Sequence, residues 1–162
     1  MELLFKHPWI VFIAFTVLNG LLLKSRSKKY IEANPDLKLG YDNYFKGWLF
    51  YGNIPWVIMM IGTLSGVTES IFDYLNPKSM NLMVLVFHFS LIVLWVLSVR
   101  WIYFKKGAEF IEKHPGLFQT SSLNGTSDAS AKQVKLFFAL MLLGGIIGMV
   151  LMWTKGLPNT II

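Results

Sequence analysis

The chain contains no cysteine among its 162 residues. Disulfides, thiolate zinc sites and iron–sulfur clusters are therefore excluded. Acidic residues are scarce, nine Asp and Glu against fifteen Lys and Arg, and none of the nine falls inside the long apolar blocks. A proton-driven pump with a carboxylate relay needs acids at that depth and is disfavoured. Signatures of phosphate-binding loops, HExxH zinc hydrolases, GxSxG hydrolases and CxxCH haem attachment are all missing. The basic residues form no aromatic-interleaved stripe in a soluble segment, so nucleic acid is not an expected partner. The start carries both Glu2 and Lys6, and no small-residue cleavage site follows, which reads as an uncleaved first helix.

What is present is hydrophobic. Apolar residues make up 54% of the chain and the mean hydropathy is +0.53. They gather in four blocks, Trp9–Leu23, Gly47–Val67, Met80–Phe104 and Val134–Trp153. A helix needs roughly 20 apolar residues to cross a bilayer core of about 30 Å. The expectation is an all-α integral membrane protein with four transmembrane helices in a single membrane domain, 1–162. Pro55 should kink the second span. The first helix should run past the membrane to Pro35, since proline disfavours a helical residue before it. The third should continue towards His114. Asn76-Pro77 suits a helix start. The Ser-, Thr- and Gly-rich stretch 119–131 reads as a flexible cytoplasmic linker.

A motif recurs. Tyr30-Ile31-Glu32-Ala33-Asn34-Pro35-Asp36-Leu37 returns eighty residues later as Phe110-Ile111-Glu112-Lys113-His114-Pro115-Gly116-Leu117. Each copy follows an apolar run with a basic end. The offset predicts two helical hairpins, repeat 1 over 1–67 and repeat 2 over 80–153. The first loop carries six Lys or Arg, and the third carries six once Arg100 and Lys135 at the adjoining span ends are counted with it; the second loop and both termini together carry three. By the positive-inside rule both termini face out and the hairpins are parallel repeats. Asn124-Gly125-Thr126 fits a glycosylation acceptor but falls on the wrong side for use.

Four groups of residues are candidates for function. Glu32, Asn34, Glu112 and His114 would form a polar platform for a partner or a lipid headgroup; alternatively the motif is only a helix stop. His88, the one histidine inside a span, aligns beside His7 in the repeat. The pair could hold a b-type haem, or His88 could be a neutral histidine bonded to a neighbouring helix. Asn19, Asn53 and Arg100 would line an inner-leaflet polar cluster, or Arg100 would simply snorkel to phosphates. Gly62 with Gly66, and Gly144 with Gly148, give GxxxG faces for helix packing. No catalytic residue, metal ligand set or cofactor is assigned. The function expected is a non-catalytic accessory or scaffold subunit, packing against a larger membrane complex or itself in a bacterial plasma membrane. The alternatives are a small oligomeric transporter or channel and a haem electron carrier using His88.

Overall fold

A computed structural model of the chain describes residues 6–122 and 125–155; Asn124 of the glycosylation pattern lies outside them. Helix α1 spans Pro8–Ala33, with proline at its first position, where a missing N–H is harmless. It stops at Asn34, whose extended backbone leads into a 3-10 turn, Pro35–Leu37. Helix α2, Lys38–Leu64, runs back through Pro55. The expected stop before Pro35 is where the chain turns. The α1–α2 hairpin closes on small residues that belong to no GxxxG pattern. A Cβ on Gly20 would lie 3.3 Å from Leu49, and one on Gly52 3.2 Å from Thr16. Phe12 stacks on Trp56 at 4.2 Å, and the Trp48 indole donates to the Thr16 carbonyl at 3.1 Å.

Helix α2 ends on a glycine cap. Gly66 has φ +72, its N–H reaches the Thr63 carbonyl at 3.2 Å, and Val67 N–H reaches that of Gly62 at 3.0 Å. Left-handed glycine is the usual way to satisfy terminal helix carbonyls. Gly66 therefore lies beyond the helix and cannot share a packing face with Gly62, contrary to expectation. A one-turn helix α3, Ile71–Tyr74, follows, with a capping box between Ser70 and Asp73. The chain then makes a 3-10 turn at Pro77–Ser79, and helix α4, Leu82–Val99, starts later than Asn76-Pro77 suggests. The Asn81 side chain caps it by accepting from Met83 N–H at 2.9 Å.

The third long helix does not continue to His114. It widens into a π turn, Arg100–Phe104, and breaks at Lys106, whose φ is 57. Helix α5, Gly107–Lys113, restarts at once. Only glycine fits at its first position, because a Cβ on Gly107 would lie 2.6 Å from the Trp101 ring. The 119–131 stretch, expected to be a flexible linker, holds a two-stranded antiparallel hairpin: β1, Gln119–Ser122, pairs with β2, Gly125–Asp128, in the register Gln119 to Asp128 and Thr120 to Ser127. Helix α6, Ala131–Lys155, begins after a reciprocal cap in which Ser130 and Gln133 bond each other's backbone N–H.

Four segments are long and apolar enough to cross a membrane: Pro8–Ala33, Pro35–Leu64, Leu82–Phe104 and Ala131–Lys155. The chain has the build of an all-α, multi-pass membrane protein. Large apolar side chains such as Phe15, Phe50, Phe89 and Met141 stand exposed around the bundle, as a hydrocarbon solvent requires. Two cores hold it. One, at the end where the basic loops lie, joins Tyr41, Phe45, Ile102, Ala108, Ile111 and Leu117 to Ala129 and Val134. The other, at the far end, is Met59, Tyr74, Val84 and Phe87.

Candidate functional site

Both copies of the repeated motif lie at the basic end, but they do different work. The first closes a continuous helix. Asn34 is exposed and its side-chain oxygen accepts from Asp36 N–H at 3.2 Å, fixing the turn. The second, carried on the detached α5, is packed into the core. His114 is 5% exposed, stacks on Phe110 at 4.0 Å and meets the Tyr41 ring edge-on at 5.0 Å. Its Nδ1 lies 2.7 Å from the Phe110 carbonyl. A carbonyl can only accept, so Nδ1 carries the hydrogen. The Tyr41 hydroxyl donates to the Pro115 carbonyl at 2.7 Å.

The copies touch through a residue the sequence does not single out. Asp128, the only acid in 119–131, accepts from Gly116 N–H at 2.7 Å and from the Gln119 amide at 3.3 Å on one oxygen. Its other oxygen takes the Tyr30 hydroxyl at 3.2 Å. Tyr30 opens the first copy and Gly116 belongs to the second. A Cβ on Gly116, which has φ +82, would stand 2.9 Å from the Tyr30 ring. One carboxylate thus binds the two motifs and the β-hairpin together. The expected platform is correspondingly split: Glu32 and Glu112 are exposed, whereas His114 faces inward. Neither glutamate has an ion-pair partner among the described residues; the one ion pair there is Lys135 to Glu109, at 2.6 Å. That contact holds the Glu109 carboxyl below its usual range, through the hydrogen bond from Lys135 first and the nearby positive charge after it. Lys24, Arg26, Lys28, Lys29, Lys105 and Lys106 are exposed around them.

At the far end His88 is 1% exposed. Its Nε2 lies 2.9 Å from the Tyr74 carbonyl, and its Nδ1 accepts from the Trp153 indole N–H at 3.2 Å. The pattern assigns the hydrogen to Nε2 and a neutral ring. Both nitrogens are engaged in hydrogen bonds, the arrangement of a histidine bonded to neighbouring helices. His7 precedes α1 with its ring edge-on to Trp9 at 6.1 Å, and its Nδ1 is buried without a partner among the described residues. The Tyr74 hydroxyl donates to the Met59 carbonyl at 3.2 Å and pairs with Thr68 Oγ1 at 3.1 Å. Burial pushes that phenol up, keeping it neutral. Gly62 makes room for it, since a Cβ there would stand 2.1 Å from the Tyr74 oxygen.

The polar trio does not assemble through hydrogen bonds. Asn19 and Asn53 each turn their amide back on their own helix, to Phe15 at 2.8 Å and Leu49 at 2.7 Å. Arg100 is exposed. Among the described residues, no group of three or more His, Asp or Glu converges in a way that could hold a metal. The fourth span has glycines of two kinds. Gly145 packs under Trp95, at 2.9 Å for an added Cβ, while Gly144 and Gly148 have nothing within 4 Å. Trp153 and Asp128 are the functional-looking residues that sequence patterning missed. Asp128 is the lone acid of its segment and Trp153 the lone tryptophan of the fourth span, signals too slight to act on without knowing what faces them. Comparison of the chain with protein-family models, with characterised proteins and with solved structures finds no match, so its own residues must carry the functional reading.

Proposed function

We propose that the chain is a non-catalytic membrane protein, an accessory or scaffold subunit that packs against a larger membrane complex or a second copy of itself through α6. The fourth helix is the observation that carries this. Its apolar window is 6% buried, against 17% for each of the other spans. On its outward face Gly144 and Gly148 stand one turn apart under open space. Lipid does not drive helices together by hydrophobic burial, so association relies on small residues that allow close backbone approach. A face with that shape, left open by its own chain, suits another helix.

The basic end faces the cytoplasm and both termini lie outside, by the charge of the loops. The two hairpins then run in the same sense, as parallel repeats, with the motif copies on the cytoplasmic side. A bacterial plasma membrane fits this arrangement. The test is Gly144→Leu with Gly148→Leu. Because the space over both glycines is open, the double variant should fold and melt like the native protein. Its native complex, isolated in mild detergent and compared side by side with wild type, should be lost. An unchanged complex would end this reading.

A further inference from the structure

The third span, α4 with its π turn, meets α6 at three levels and parts from it between them. At the basic end Tyr103 donates to the Lys135 carbonyl at 2.8 Å and its ring lies 6.1 Å from Phe138. Midway, Trp95 covers Gly145. At the far end Trp153 reaches His88. Alongside these contacts runs an open groove of about 420 Å³, walled by Ile92, Val96 and Val99 on one side and Ile146, Met149 and Val150 on the other. No lining side chain is charged or can form a hydrogen bond, apart from the indole of Trp95 at the floor.

The occupant follows from the size of this groove and the charge beside it. Trp95 already closes on Gly145 alongside, and the space left is about 420 Å³. A helix with its side chains is about 10–12 Å across and cannot enter. A single hydrocarbon chain can. One turn beyond Val96, on the same face of the third span, stands Arg100. It is exposed, and no carboxylate pairs with it among the described residues. A guanidinium fork matches a phosphate in bidentate fashion, and the cytoplasmic leaflet is rich in anionic lipid. We infer that the α4–α6 groove is a binding site for one anionic phospholipid, an acyl chain lying along the wall from Val99 to Ile92 and the phosphate on Arg100. This site rests on the basic end facing the cytoplasm. It does not depend on α6 having a protein partner, since Gly144 and Gly148 lie on a different face of that helix.

The test uses the full chain in mild detergent, titrated with dioleoyl-phosphatidylglycerol or with dioleoyl-phosphatidylcholine, which shares its acyl chains but carries no net charge. Native mass spectrometry counts the lipids retained. One phosphatidylglycerol per chain should be kept, with a preference over phosphatidylcholine of about tenfold, the scale of a hydrogen-bonded charge pair. Arg100→Gln should erase the preference, and Arg100→Lys should restore part of it. Ile146→Trp fills the groove from a wall position that is itself 43% exposed, so the fold tolerates it; both lipids should then be lost. Equal retention of the two lipids, or a preference that survives Arg100→Gln, would overturn the site. So would a groove occupied by a second copy of the chain, seen as a dimer that Ile146→Trp dissociates.

Discussion

A Cβ on Gly40 would stand 2.0 Å from Nε2 of His114. The start of the second span is thus seated against the imidazole of the second motif copy. That ring cannot swing aside, being stacked on Phe110, edged by Tyr41 and bonded through Nδ1 to the Phe110 carbonyl. Gly40→Ala should therefore destabilise the protein by about 1–2 kcal/mol, overpacking outweighing the helix propensity gained. Combined with His114→Ala, the loss should be smaller than the sum of the two single losses. Denaturant unfolding in detergent measures both; additive losses would mean the contact is not the cause.

Trp153→Phe keeps a ring of similar shape but removes the indole N–H that His88 Nδ1 accepts. A buried acceptor left without its donor costs about 1–3 kcal/mol. The variant should melt lower than wild type, and a second substitution, His88→Leu, should add less than it does alone.

The Glu109 carboxyl has its pKa lowered by the Lys135 hydrogen bond. Its folded value lies below its unfolded value, so the pair's stabilisation is full above the ordinary carboxylate range and is lost as pH falls through the lowered value. Melting temperatures of wild type and Lys135→Met should differ slightly at neutral pH and converge in acid. The pair is exposed, so added salt should narrow the difference as well.

Cysteines placed at Ser79 and Ser122 should react with an impermeant reagent from opposite sides of oriented vesicles, Ser122 from the cytoplasmic side. Labelling of Ser122 from outside would invert the topology.

Glu32→Gln with Glu112→Gln should change stability by no more than about 0.5 kcal/mol, because both carboxylates are exposed and unpaired among the described residues. Recovery of native partners should fall. If recovery holds, the carboxylates are bystanders and the outward face of α6 is left as the docking surface.

The four spans were legible because long, mostly apolar blocks free of acidic residues have few alternatives, and the turn at Pro35 because proline and an Asn cap act locally. The break at Lys106 was not. It depends on Trp101 folding over Gly107, a contact between residues six apart whose geometry no pattern encodes. The β-hairpin was hidden for a similar reason: its strands are polar, and Asp128 holds it by reaching Tyr30 ninety-eight residues away in sequence. Among the glycines, spacing was a poor guide. Gly62 and Gly66 have the right interval, yet one receives a tyrosine hydroxyl and the other ends a helix. The motif recurs in the sequence, but α1 runs unbroken into its copy while α4 is severed from the other, so the two copies differ in conformation.

The three contacts between the third span and α6 also set a length. Lys135 and Trp153 are eighteen residues apart, about 27 Å of helix, against a hydrocarbon core of about 30 Å. Pinned near both ends, the fourth helix cannot slide against the third span to suit a thicker membrane. Hydrophobic mismatch must instead be met by tilting the two helices as one body or by thinning the lipid around them. The strain of a poorly matched membrane would then collect at the indole–imidazole contact, and membrane thickness becomes a variable to which the far end of this protein responds.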